Sequence, residues 1–415
     1  MIKKFFAFSV ALIMILSVIS LASCGGKNEP VETKNPFDTL NFETVETRDT
    51  EPPETETEPI PVYKATFVGC GDNIVYTGTV WEATSQAYAG GRDYNFKPIY
   101  EDVADIISSA DIAYINQECV MDGGAPAYYP QFNSPQDLGY DLVELGFDVI
   151  NIANNHMLDR GGDGLSSTIE FWKGLDCVMI GGNRDRADYD NIEYIDANGI
   201  KIALLSFTEM TNGFVIGANY DVWVPYLDEQ DIKDQCATAK SNGADLILCS
   251  VHWGDEYWGA GFPYEPNEKQ QKWAKIMADA GVDVIIGTHP HVIQKIEYVK
   301  ASDGREVLCA YSLGNFMAMQ AYDHNMLGGI ISFDINKVGD EHATVDNVLF
   351  TPTVYYFAQN WYGSRVIPLS DFTDALASSH GIRNYGNNIS VDTLKYYLNC
   401  QIADEFLPEE FKTNK

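Results

Sequence analysis

Apolar residues along this chain fall into two rhythms. Short continuous aliphatic runs, the pattern of strands buried on both faces, occupy residues 65–70, 112–115, 149–153, 202–207, 246–251, 282–286 and 307–311. Between them, apolar positions recur at helical spacing over 100–109, 138–145, 165–175, 231–241 and 267–280. Buried strands alternating with amphipathic helices predict an α/β fold with parallel strands. Past Gly328 the rhythm changes. Residues 330–335 and 343–351 read as consecutive strands joined by a charged turn, forming an antiparallel edge or part of a second sheet. The stretch 371–406 reads as partly helical, most clearly over 391–397.

The first residues read differently. Lys3 and Lys4 precede an almost unbroken apolar run to Ser20, and Leu21-Ala22-Ser23-Cys24 follows. This is the layout of an export signal. Its end resembles the lipobox of bacterial lipoproteins, which implies that Cys24 carries lipid and becomes the mature N-terminus. An uncleaved membrane helix over 5–23 is the alternative, since that run is just long enough to span a bilayer. Either form predicts an extracytoplasmic protein held at the bacterial cell membrane. Residues 25–61 contain ten acids, three bases, six prolines and seven threonines, the composition of a solvated, self-repelling stalk. The expected organisation is a signal peptide over 1–24, a disordered stalk over 25–61, a domain over 62–327, and strands and helices over 328–415 that complete or cap it.

Composition narrows the partners. The 415 residues are 45% hydrophobic and 21% charged, which suits a folded domain. The formal net charge of −33 argues against nucleic acid and against attraction to anionic lipid. A polyanionic substrate would need a metal or a local basic pocket. Eight cysteines are present and none form a C-x-x-C pair. Cys70, Cys249 and Cys309 lie inside apolar runs and are expected as buried free thiols.

The candidate chemistry sits where strands end. The run before Gly71 delivers Asp72, and that before Asn116-Gln117 delivers Glu118. The run at 149–153 leads to Asn154-Asn155-His156 with Asp159 beyond. The run at 246–251 leads to His252-Trp253-Gly254, and that at 282–286 to Gly287-Thr288-His289-Pro290-His291. The carboxyl edge of an open α/β sheet is where ligands bind. Carboxylates and an amide oxygen suit hard cations, and imidazoles suit zinc, iron or manganese. An extended His289-Pro290-His291 would point both rings to one side. The set is large enough for two divalent ions, an arrangement that suits phosphoester hydrolysis. His324, His342 and His380 lack such a setting and are expected at the surface or in loops.

These segments, with Val68-Gly69-Cys70 at the start, Gly146-Phe147-Asp148 before the Asn-Asn-His run, His252 to Tyr257, and Tyr311-Ser312-Leu313-Gly314-Asn315-Phe316 at the end, resemble the CapA family of capsule or poly-γ-glutamate synthesis proteins. That family is similar to the calcineurin-like metallophosphoesterases. The resemblance implies a layered sandwich of two central β-sheets flanked by helices, one or two divalent ions (Mn, Fe or Zn), and a role in making or exporting a surface polymer, with a membrane polymer-synthase complex as a candidate partner. It implies that Asp72, Glu118, Asn155, His252, His289 and His291 hold metal. His156 would be the general acid, and Asp159 a second catalytic residue. Asn116, Asn154, Trp253, Glu256, Tyr257 and Asn315 would meet substrate, with Trp253 and Tyr257 as a stacking wall. Two positions depart from the superfamily pattern: Ile74 stands where Asp-x-His would place an imidazole, and the Glu118 segment lacks Gly-Asp-x-x-Asp. Three readings follow: a metal-dependent phosphoesterase-type hydrolase, a non-catalytic metal-binding accessory of a polymer synthase, or a scavenging exported phosphodiesterase or nucleotidase.

Overall fold

The computed structural model describes residues 59–86, 91–217, 220–256 and 264–413. The expected signal segment with Cys24, nearly all of the expected stalk, and Tyr257 lie outside the described residues. Among those described, no helix is long and apolar enough to cross a membrane. In chain order the strands are β1 (Val62–Asn73), β2 (Ile112–Gln117), β3 (Val149–Asn151), β4 (Val178–Ile180), β5 (Glu193–Ala197), β6 (Ile200–Thr208), β7 (Leu246–His252), β8 (Val284–Thr288), β9 (Ile296–Lys300), β10 (Glu306–Ala310), β11 (Asn315–Met317), β12 (Leu327–Val338), β13 (Thr344–Tyr356) and β14 (Arg365–Pro368).

They form two sheets. The first runs β14-β13-β12-β1-β2-β3-β4, with β11 pairing β1, and the second β5-β6-β7-β8-β10-β9. Within each sheet the strands that end at the candidate chemistry are parallel: β1 with β2, β2 with β3, and β7 with β8. The region after Gly328 enters the first sheet directly, since β12 lies antiparallel against β1 from Val62↔Val338 to Cys70↔Ile330.

The continuous aliphatic runs are explained by what covers them. Along β6, β7 and β8, Leu204, Leu248 and Ile286 point into a core shared with β1, β2 and β3 of the first sheet. Their neighbours Ala203, Cys249 and Ile285 point the other way, into a second core that includes Cys236 and Ala274 of the helices Glu229–Ser241 and Glu268–Ala280. Alternate residues thus face different apolar layers, so nearly every position along these runs is apolar. Polar bonds also join the sheets: Tyr114 and Ser250 hydroxyls meet at 2.6 Å, and Ser206 Oγ donates to Asn151 Oδ1.

Some local expectations change. The stretch 100–109 is a 3-10 helix, Lys97–Val103, followed by a short α-helix, Ala104–Ser108. His380 is fully buried, donating from Nε2 to Tyr355 O and accepting the Ile382 N–H at Nδ1. His324 is also buried, stacked on Tyr322. Cys70, Cys249 and Cys309 are buried free thiols.

Candidate metal centre

Asp72, Glu118 and the 152–159 turn come from β1, β2 and β3 of the first sheet, whereas His252, His289 and His291 come from β7 and β8 of the second. The site forms where the carboxyl ends of these parallel strands converge. Among the described residues, three sets of donor atoms lie within metal-binding reach of one another: Glu118, His252 and His289; Asp72, Glu118 and His291; and Glu256, His289 and His291.

The Glu118 carboxylate is fully buried and neither oxygen has a hydrogen-bond partner. Its Oε1 lies 3.7 Å from His252 Nε2 and 3.6 Å from His291 Nε2. Burial, then the charges of Asp72 and Glu256, push its pKa well above the usual carboxylate range. Asp72 is better supported. Its Oδ1 accepts from Asn116 Nδ2 at 2.7 Å, and its Oδ2 accepts the His289 main-chain N–H at 3.2 Å.

Each histidine is oriented by a neighbour. Asn315 spends its amide nitrogen on the main-chain oxygens of His291 and Asn325 and on Gln320 Oε1, so its oxygen faces His291 Nδ1 at 3.0 Å. That bond places the proton on Nδ1 and leaves Nε2 as a lone pair toward Glu118. Burial works against the charged His291 ring, but the hydrogen bond and charge of Asp72 outweigh it and raise its pKa. His252 Nδ1 meets Thr288 Oγ1 at 2.9 Å, and its Nε2 meets Asn155 Oδ1 at 3.0 Å. Burial and the neighbouring imidazoles hold His252 well below the ordinary histidine range, and bring His289 to about 3. His289 Nδ1 is buried without a partner. Neutral imidazoles, an unpartnered carboxylate and an amide oxygen turned on one point form a donor set that fits a divalent cation.

The His289-Pro290-His291 turn is not extended as expected: φ is +102° at His289 and +58° at His291. Such values cost of order 1–3 kcal/mol at a non-glycine residue and persist where the surroundings over-determine them. Here the surroundings are Asp72 on the His289 N–H and Asn325 Nδ2 on the His291 carbonyl at 3.0 Å.

Beside this centre, His156 Nδ1 lies 2.8 Å from Asp159 Oδ2, which also accepts the Phe132 N–H at 2.7 Å. The His156 ring sits edge-on to Phe132. His156, His289, His291 and Glu256 line a cleft of about 810 Å³, together with Ile74, Phe132 and Gln320.

The expected substrate contacts divide. Glu256 lines the cleft. Trp253 does not: it is fully buried, stacks on Tyr311 and donates its indole N–H to Tyr311 O, because its position faces the second apolar core. Asn116, Asn154 and Asn315 are buried braces: Asn116 holds Asp72, Asn154 accepts the His156 N–H, and Asn315 holds His291. The bracing residues Thr288, Gln320 and Asn325 and the Phe132 amide were not anticipated. Only Thr288, set between Gly287 and His289, carried a sequence signal.

Residues 66–320 match the family model described as bacterial capsule synthesis protein PGA_cap. The capsule biosynthesis protein CapA of Bacillus anthracis is 34% identical over 210 residues, covering 48% of this chain and 46% of that protein. The PGA biosynthesis protein CapA of Bacillus subtilis is 34% identical over 209 residues, covering 48% and 50%. The chain thus spans about half the length of the curated relatives it matches. Among solved structures, the NAD nucleotidase NadN of Haemophilus influenzae covers 80% of this chain and 59% of its own at a TM-score of 0.42 and 13% identity, too distant to bear on activity. With the family model matching well over half its length, the chain belongs to the PGA_cap family of bacterial capsule synthesis proteins.

Proposed function

We propose that this is a metal-dependent phosphoesterase-type hydrolase that serves the synthesis or export of a capsule-like or poly-γ-glutamate surface polymer, held at the outer face of the cell membrane through a lipid on Cys24. The single observation that carries the enzymatic reading is the unpartnered Glu118 carboxylate facing His252 and His291, with the His156–Asp159 pair beside it. Asp72, Glu118, Asn155, His252, His289 and His291 would hold one or two divalent ions. Bound ions would supply an activated water at neutral pH and charge stabilisation for a phosphoryl group. Asp159 Oδ2 takes the Nδ1 proton of His156 into a hydrogen bond, which leaves Nε2 to carry the proton given to a leaving oxygen. Phe132, edge-on to that ring, fixes its tilt.

Ile74 favours a second reading, that of a metal-holding accessory of a polymer synthase. It stands on the cleft wall where the superfamily pattern would place a further imidazole. The test is elemental analysis of the protein alongside hydrolysis of an aryl phosphodiester with Mn, Fe or Zn added. Bound metal with turnover abolished by His156→Ala supports the hydrolase. Bound metal without turnover on a panel of phosphomonoesters and diesters favours the accessory, and no metal after reconstitution overturns both.

A further inference from the structure

The cleft's lining is aromatic, apolar and acidic. Ile74, Tyr76, Tyr129, Phe132, Met210 and Phe214 supply its apolar and aromatic surface. Tyr129 and Phe214 are 66% and 38% exposed, so they present ring surface to whatever enters. Asp255 and Glu256 supply its carboxylates, besides the histidines. No lysine or arginine lines the cleft among the described residues. Residues 87–90, 218–219 and 257–263, which lie outside the described residues, contain none either. Arg160, next to Asp159 in the chain, is paired with Asp122 at 3.1 Å, and Lys269 with Glu209 at 3.3 Å.

Resting on the hydrolase reading above, we propose that the cleft takes a substrate with one anionic group, flanked by an uncharged ring-bearing unit of the glycosyl type, and excludes polyanions, the polyglutamate chain included. A single phosphodiester brings one charge for bound metal to neutralise. Every further carboxylate or phosphate would meet a lining that carries Asp255 and Glu256 but no lysine or arginine, and like-charge juxtaposition is unfavourable. Tyrosine rings offer a flat apolar face with a hydroxyl tip, which matches the C–H face and hydroxyl rim of a sugar. In a polymer pathway, this assigns the site to a glycosyl phosphoester, such as a carrier-linked or wall-linked sugar, rather than to the finished acidic chain.

The test uses the full chain loaded with Mn and measures binding by calorimetry at about 150 mM salt, where distant charges are screened. The probes are a glucosyl aryl phosphodiester, a γ-linked glutamate decamer and inorganic tripolyphosphate. The diester is expected to bind at least about tenfold more tightly than either polyanion. Asp255→Lys should narrow that gap by tightening the polyanions. Tyr129→Ala should weaken the diester several-fold and leave the decamer unchanged. Equal or tighter binding of the decamer by the parent protein overturns the proposal, as does failure of the diester to bind. Failure of the hydrolase reading looks different: the diester binds selectively but is not cleaved.

Discussion

Asn155 Oδ1, on the turn after β3, lies 3.0 Å from Nε2 of His252, the last residue of β7. An oxygen from one sheet and a nitrogen from the other meet at a point that neither sheet forms alone. The Thr288 hydroxyl on the far side of the His252 ring can donate or accept, so the ring can move its proton to Nδ1 and free Nε2 without losing a partner. Thr288→Val removes that option. Metal affinity should fall about 10–100-fold, as for other residues that orient a ligand, with the far-UV spectrum unchanged. A chelator competition titration reads it, and an unaltered constant would show that His252 is oriented by something else.

His156 and Asp159 are expected to act on turnover rather than on metal. His156→Ala should lower the rate about 10²–10⁴-fold, the usual contribution of a positioned acid or base, with metal per chain unchanged. Asp159→Asn should lose part of that rate, since an amide can still accept the Phe132 N–H but no longer stabilises a charged imidazole. Joint loss of metal and activity in His156→Ala would move His156 into the ligand set.

How much of this was visible beforehand depends on the kind of residue. Asp72, Glu118, Asn155, His252, His289 and His291 could be singled out as candidate ligands because each follows a continuous aliphatic run, and such runs form where both faces of a strand are covered. The left-handed turn at His289 and His291 could not be read, because it contradicts local preference and is imposed by Asp72, Asn315 and Asn325 from distant parts of the chain. Strand β11 is three residues long and leaves almost no periodic signal. Trp253 misled because an aromatic residue after a strand can face a cleft or a core, and only the packing of Tyr311 decides it. His324 and His380 misled for the same reason: nothing local marks a histidine whose polar partners are main-chain atoms or aromatic faces.

His380 should make the fold acid-sensitive independently of the metal centre. Burial lowers its pKa to about 4, and its Nδ1 accepts the Ile382 N–H, so protonation would cost that bond. Its ordinary value is about 6.5, so between roughly pH 6.5 and 4 the unfolded chain binds a proton that the folded chain refuses, and stability falls as pH falls. By pH 5 the loss is about 2 kcal/mol. Urea unfolding of the metal-free protein at pH 7 and pH 5 should show this component in the parent and not in His380→Gln. The same pH dependence in both proteins would refute the assignment.

Gly71 sets how close β1 comes to the turn before β11. A Cβ there would lie 2.0 Å from Gly314 O, the oxygen that accepts the Asp72 N–H at 3.0 Å. Gly71→Ala must therefore push that turn away from β1, and the turn carries Asn315, which pairs with Asp72 in register and orients His291. Overpacking of this kind costs about 1–3 kcal/mol, and the displacement should also loosen metal binding. Gly304→Ala is the control. Its φ of +96° makes alanine unfavourable, but open space surrounds the position, so stability should fall by about 1 kcal/mol with metal affinity unchanged. Thermal unfolding and metal titration on both variants separate a general loss of stability from a shift of Asp72 against His291. If Gly71→Ala were less stable yet bound metal as the parent does, the β1–β11 approach would support the fold and not the site.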